Sequence, residues 1–368
     1  MSNITTGLAY STDSAGMHPS HTLPIKLRAI AEARFPFAEV GFPDLEAYAE
    51  QTFEGYQKLD RRGKGDIDKL LKATGNIRVL CEELGLKVLV VHPFSEFEGY
   101  EDVTKRETGF ERAHAWFKVL KELDCQMLQV GSSDDPTTSS DHNVIARDLR
   151  QLADEAAAED PPIQMRVTAY EMWAWGSHVN TWEHTWDICK RVNRPNFGLC
   201  LDTFQICART YADPTSPNGL LHHSPGGSAL HTLGISLSAL AKTIPPEKIF
   251  YLQISDGSRR HDVDALIKSA AEQNIDPLYA WSNAWRPLPY QDEIEGREGN
   301  EEGAYGGYLP VVAVCEAVLK TGWRGPWSFE VFYEADMSRD DPEVPRRWTR
   351  SAKACYDKIV EAATDEGF

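Results

Sequence analysis

Basic charge is scarce in this sequence. Lys and Arg number 38 against 56 Asp and Glu, a net charge of -18, and no long basic run occurs. Nucleic acids and anionic membranes are bound through clustered positive charge, so neither is expected as a partner. Paired cysteine motifs are missing too: Cys81, Cys125, Cys189, Cys200, Cys207, Cys315 and Cys355 make no CxxC or CxxH spacing. An odd, unpatterned set predicts reduced thiols in an intracellular protein rather than a disulfide framework. No run of about 18 apolar residues occurs, and "MSNITTGLAYSTDS" has neither a basic n-region nor a long apolar stretch, which predicts a cytoplasmic protein. Repeats and low-complexity segments are also absent.

What is there is ordinary for a soluble globular chain: 42% hydrophobic and 26% charged residues, enough for a large core. A length of 368 residues suits a single α/β barrel domain over 1–368 as readily as two domains. Short apolar runs alternate with amphipathic stretches almost from end to end. Strands are predicted at 6–11, 37–42, 87–94, 126–132, 164–171, 197–202, 249–256 and 327–332, with helical segments between them and a closing helix near 342–363. Eight such alternations predict an α/β fold of the (β/α)8 TIM-barrel type. A doubly wound open sheet is the other reading, disfavoured because no Gly-rich phosphate turn follows the first strand. Two stretches, 43–65 and 257–306, are too long for ordinary loops. Both follow predicted strands, so both are expected as long loops on the C-terminal face, where barrel active sites are built.

Several strands end on oxygen-bearing side chains. The fifth ends at Glu171, the sixth at Asp202, the seventh carries Gln253 and the eighth Glu330. Barrel strand ends converge on one mouth, and three carboxylates cannot crowd there unless a cation or protons compensate them. A single acidic strand end reads most simply as a solvated or ion-paired group; four in succession point to one divalent cation. Oxygen donors favour Mn or Mg over Zn.

Histidines make a second set. His18 and His21 follow the first strand and His92 ends the third, while His178 lies just beyond Glu171; His222, His223 and His231 fall in a predicted loop and helix. A lone His is commonly structural, yet one facing the mouth is the usual proton carrier at neutral pH. His21 and His92 are the candidate catalytic bases, His21 slightly ahead, with Glu39 as a fallback. Trp173, Trp175, Trp182, Trp281, Trp285 and Tyr305 gather near the mouth, and Trp175 is a candidate wall for a flat ligand, whereas Trp182 and Trp186 share a helical spacing that suits a core. Arg286 and Arg209 are candidate clamps for a substrate carboxylate, although surface ion pairing explains either alone.

The run "WDICKRVNRPNFGLCLDTF", with "HPFSEFEG", "AYEMWAWG", "WSNAWRPLP", "GAYGGYLP" and "SFEVF", closely resembles the fungal 3-dehydroshikimate dehydratases, within the xylose-isomerase-like sugar phosphate isomerase/epimerase barrels. The resemblance spans nearly the whole chain, strongest over 164–215 and weakest before residue 60. It implies a (β/α)8 barrel binding one divalent cation through an acid, acid, amide-or-His, acid set, which falls on Glu171, Asp202, Gln253 and Glu330. Bacterial relatives often carry His three positions after the metal-binding Asp, where this chain has Gln205, and "GMHPSH" departs from the dehydratases as well. The implied activity is a metal-dependent lyase (a dehydratase) forming protocatechuate from an anionic cyclic small-molecule substrate. The same chemistry would serve a sugar or sugar-phosphate isomerase or epimerase. An endonuclease of the same barrel type would need a basic groove, which the charge opposes, and a barrel that has lost its activity is a further reading. Assembly into a homo-oligomer is left open.

Overall fold

The computed structural model describes residues 4–160, 168–222, 228–297 and 304–365. Eight parallel strands close a barrel in the order β1 (Leu8–Ser11), β2 (Phe37–Gly41), β3 (Lys87–Phe94), β4 (Leu128–Gly131), β5 (Thr168–Glu171), β6 (Phe197–Asp202), β7 (Ile249–Ile254) and β9 (Trp327–Phe329), which pairs back onto β1. The (β/α)8 barrel is therefore the fold. Of the predicted fifth strand, 164–167 lie outside the described residues, as does His223.

The helices that clothe the barrel follow from apolar periodicity. In the helix Ile67–Leu84, Leu70, Ala73, Thr74, Ile77 and Cys81 recur at three- and four-residue spacing and are buried, and Gly85 at φ 69° ends it in the left-handed region that glycine enters without strain. The helix His142–Ala157 opens on Asp141, whose side chain accepts from the Asn143 amide. The closing helix runs Val344–Asp365. All seven cysteines are free and buried. No described helix is long and apolar enough to cross a membrane.

Period-two alternation splits each strand between two environments. Leu199 and Leu201 of β6 join the large apolar core under the helices, whereas Cys200 belongs to a small inner cluster with Val90, Met127, Ala169, Phe250 and Tyr251. Asp202 shares the parity of Cys200, Glu171 that of Ala169, and Gln253 that of Tyr251. A small apolar plug thus underlies a polar mouth.

Both stretches predicted as long loops hold helices instead: Phe42–Thr52 in the first, Val263–Gln273, Pro277–Ala284 and Gln291–Ile294 in the second. The predicted eighth strand is also shorter, because the chain leaves the barrel after Phe329 and turns outward. There β10 (Phe332–Tyr333) pairs antiparallel with β8 (Trp285–Arg286), joining Phe332 to Arg286 and Tyr333 to Trp285. This ribbon folds the excursion after β7 back over the mouth.

Candidate metal centre

Parallel register brings the strand ends level: Glu171 opposite Cys200, Asp202 opposite Gln253, Gln253 opposite Ser328. One ligand atom each from the buried Glu171, Asp202 and Glu330 lies within 4.8 Å of the others. Three carboxylates this close, away from water, demand compensation.

Part of it comes from the protein. Asp202 caps the helix Thr203–Thr210, its Oδ1 accepting from the amides of Phe204 (2.6 Å) and Gln205 (3.1 Å). Its Oδ2 accepts from the Arg286 guanidinium at 2.6 Å, and a second Arg286 nitrogen lies 3.0 Å from Glu330. Asp202 therefore has protein partners of its own, besides any cation. Glu171 is less well served. Its Oε2 accepts from Trp173 Nε1 at 2.9 Å and from Gln129 Nε2, and its Oε1 is buried without a partner. Burial, reinforced by Glu330 and Asp202, pushes the Glu171 carboxyl well above the usual range. Burial likewise raises Asp202 to about 6, against the pull of Arg286. A buried, unpaired carboxylate oxygen beside two further carboxylates fits an oxygen-seeking divalent ion.

Gln253 faces the same interior, its Nε2 donating to Glu39 at 3.1 Å and its Oε1 lying 3.2 Å from the Cys200 thiol. Glu39 is fully buried with Oε1 unpartnered, and burial raises it to about 7 despite the pull of His92. His92 is buried with Nε2 3.1 Å from Ser11 Oγ and Nδ1 3.6 Å from Glu330. Burial lowers its pKa, but Asp13, Glu39 and Glu330 outweigh that and leave it raised.

His21 and Arg209 have their partners away from the carboxylates. His21 is buried with Nε2 2.9 Å from the Asp341 carbonyl and its ring against His18, so its partners belong to the start of the closing helix rather than to the carboxylates. Arg209 is exposed on the last turn of its helix, its charge felt by His184, and these contacts add no support to the clamp expected there. Arg286 is 1% exposed and already donates to Ser255, Ser282, Asp202 and Glu330, so it serves protein groups before any substrate. Gln205 accepts from the Ala174 amide and ties the helix to the segment after β5. Trp175 stacks on Tyr279 with centroids 4.5 Å apart and planes at 2°, and on Trp173 at 5.4 Å. Trp182 belongs to the core under the helices.

Gln129 is not evident as a site residue from the sequence, where Glu39 is only a fallback base. Both are polar residues inside strands with the interior parity of Glu171 and Asp202, and that parity was the available signal.

The family model described as "Xylose isomerase-like TIM barrel" matches residues 28–355. A 3-dehydroshikimate dehydratase of Neurospora crassa is 31% identical over 358 residues, covering 96% of this chain and 93% of that protein. A 3-dehydroshikimate dehydratase of Pseudomonas aeruginosa is 31% identical over 322 residues, covering 85% of this chain but 36% of its own length, so this chain spans about a third of it. Among solved structures, the IOLI protein with a bound zinc atom superposes with a TM-score of 0.61 at 17% identity, covering 99% of each chain, a likeness of fold.

Proposed function

The chain belongs to the xylose isomerase-like TIM-barrel family, and within it we propose a divalent-metal-dependent dehydratase that converts 3-dehydroshikimate to protocatechuate. The observation that carries this reading is the buried Glu171, Asp202 and Glu330 triad in a chain that aligns nearly end to end with a fungal 3-dehydroshikimate dehydratase.

Glu171, Asp202 and Glu330, with Gln253 as a fourth donor, would hold one Mn or Mg ion. When bound, that ion supplies electrophilic stabilisation of negative charge developing at the substrate ketone. The remaining work falls to the chain. His92, at the mouth beside Glu330, removes the proton next to the ketone; the carbon–oxygen bond of the beta hydroxyl then breaks, water leaves, and enolisation completes the aromatic ring. Ser11 Oγ at 3.1 Å from Nε2 orients the imidazole, which leaves Nδ1, 3.6 Å from Glu330 and beyond hydrogen-bond reach, to take the proton. His21 is the weaker base because its partners lie at the closing helix. The Trp173, Trp175 and Tyr279 stack offers a flat wall beside Glu171, matched to a ring that becomes planar during the reaction. Arg286 offsets part of the negative charge of the carboxylates, which lessens their repulsion of an anion.

Incubation of the protein and Mn or Mg with 3-dehydroshikimate, with the product identified by NMR, tests the reading. Protocatechuate should accumulate. Recovery of unchanged substrate, alongside turnover of a ketose by epimerisation, would overturn it.

A further inference from the structure

Arg286 and a divalent ion would draw on the same oxygens. The guanidinium reaches Asp202 at 2.6 Å and Glu330 at 3.0 Å, and Ser255 holds its Nε at 3.0 Å. Phe204 and Phe332 pack against it, their ring centroids 4.6 and 5.3 Å from Cζ. Backbone pairing of Arg286 with Phe332 fixes its root. A side chain held on every side cannot swing away when a cation arrives, so the two positive charges must share one buried site.

Charge counting gives this sharing a purpose. Ionised as cation ligands, the three carboxylates against one guanidinium leave two negative charges, the amount a divalent ion cancels. We infer that Arg286 is a resident counter-ion that opposes cation binding at Glu171, Asp202 and Glu330 and sets the site to divalent rather than trivalent ions. The inference rests on the metal-centre reading of these residues. Glu171 is the carboxylate Arg286 does not touch: its partners Trp173 and Gln129 are neutral, which leaves its free Oε1 for the cation.

The test compares Mn(II) and Tb(III) binding to the chelator-stripped protein at pH 8, by calorimetry and by tryptophan-sensitised terbium luminescence. Removing the charge in Arg286→Met should tighten Mn(II) about tenfold and Tb(III) about thirtyfold, because the repulsion removed scales with the charge of the ion. Arg286→Lys, which keeps the charge, should leave the ratio of the two affinities near that of wild type. If Arg286→Met does not fold, Arg286→Gln replaces it, losing the charge while keeping donors for Asp202 and Glu330. Weaker binding of both ions, or an unchanged ratio, would show that Arg286 only orients the carboxylates and would overturn the inference. Failure of wild-type protein to bind either ion would instead refute the metal centre itself.

Discussion

Replacing Asp202 by Ala and by Asn separates the two tasks its side chain performs. Its Oδ1 caps the helix Thr203–Thr210 and its Oδ2 receives the Arg286 guanidinium at 2.6 Å, both at 0% exposure. Loss of an N-cap costs about 1 kcal/mol, and removing one partner of a buried ion pair costs about 3 to 5 kcal/mol because the other charge is stranded. Arg286 retains Glu330, which places the pair loss at the low end. Asp202→Ala should therefore destabilise the protein by about 4 kcal/mol, and Asp202→Asn, which keeps an Oδ1 acceptor for the cap, by about 3 kcal/mol. Both should lose the metal. Urea unfolding of the chelator-treated proteins, followed by tryptophan fluorescence, measures the two. Variants within about 0.5 kcal/mol of wild type would refute the ion-pair reasoning, and an Asn variant no better than Ala would refute the cap.

Further outcomes follow from the same contacts. His92→Asn should lower kcat by about two to four orders of magnitude with metal still bound, whereas His21→Asn should stay within a few-fold of wild type, as pre-steady-state and steady-state rates will show. Trp175→Ala should raise KM for the cyclic substrate more than it lowers kcat, because it removes the stack on Tyr279 rather than a proton carrier. Asp256 is raised to about 7 by burial, although the amides of Leu309, Gly257 and Tyr308 all donate to its Oδ1. A raised acid holds its proton longer in the folded than in the unfolded state, so its contribution is fully present below about pH 4 and is lost as pH rises through about 7. Asp256→Asn, keeping Oδ1, should abolish that fall in stability, and parallel melting-temperature profiles for variant and wild type between pH 4 and 8 would contradict it.

The strands were legible because they are short, largely buried apolar runs, and Glu171 and Asp202 because they close β5 and β6 on the interior parity that period two carries to the mouth. Strand 197–202 and strand 87–94 fall at the expected bounds. Arg286 was visible as a cation in the excursion after β7, yet its partners were not, since the β8–β10 ribbon that turns it inward joins segments more than 40 residues apart. "PDLEAYAEQT" reads as loop because the short helix Phe42–Thr52 directly continues β2, although Gly41 at its N-cap and Pro43 in its first turn mark a helix start. His21 could not be placed, because the Asp341 carbonyl that holds it lies 320 positions away.

Titration of Mn into chelator-stripped protein, with protocatechuate formation from 3-dehydroshikimate followed by absorbance, tests the central claim most directly. Turnover should be nil without metal and should saturate at one ion per chain in wild type, with no rescue in Glu171→Gln at the same metal concentration. Full turnover in excess chelator, or saturation unaffected by Glu171→Gln, would contradict the account.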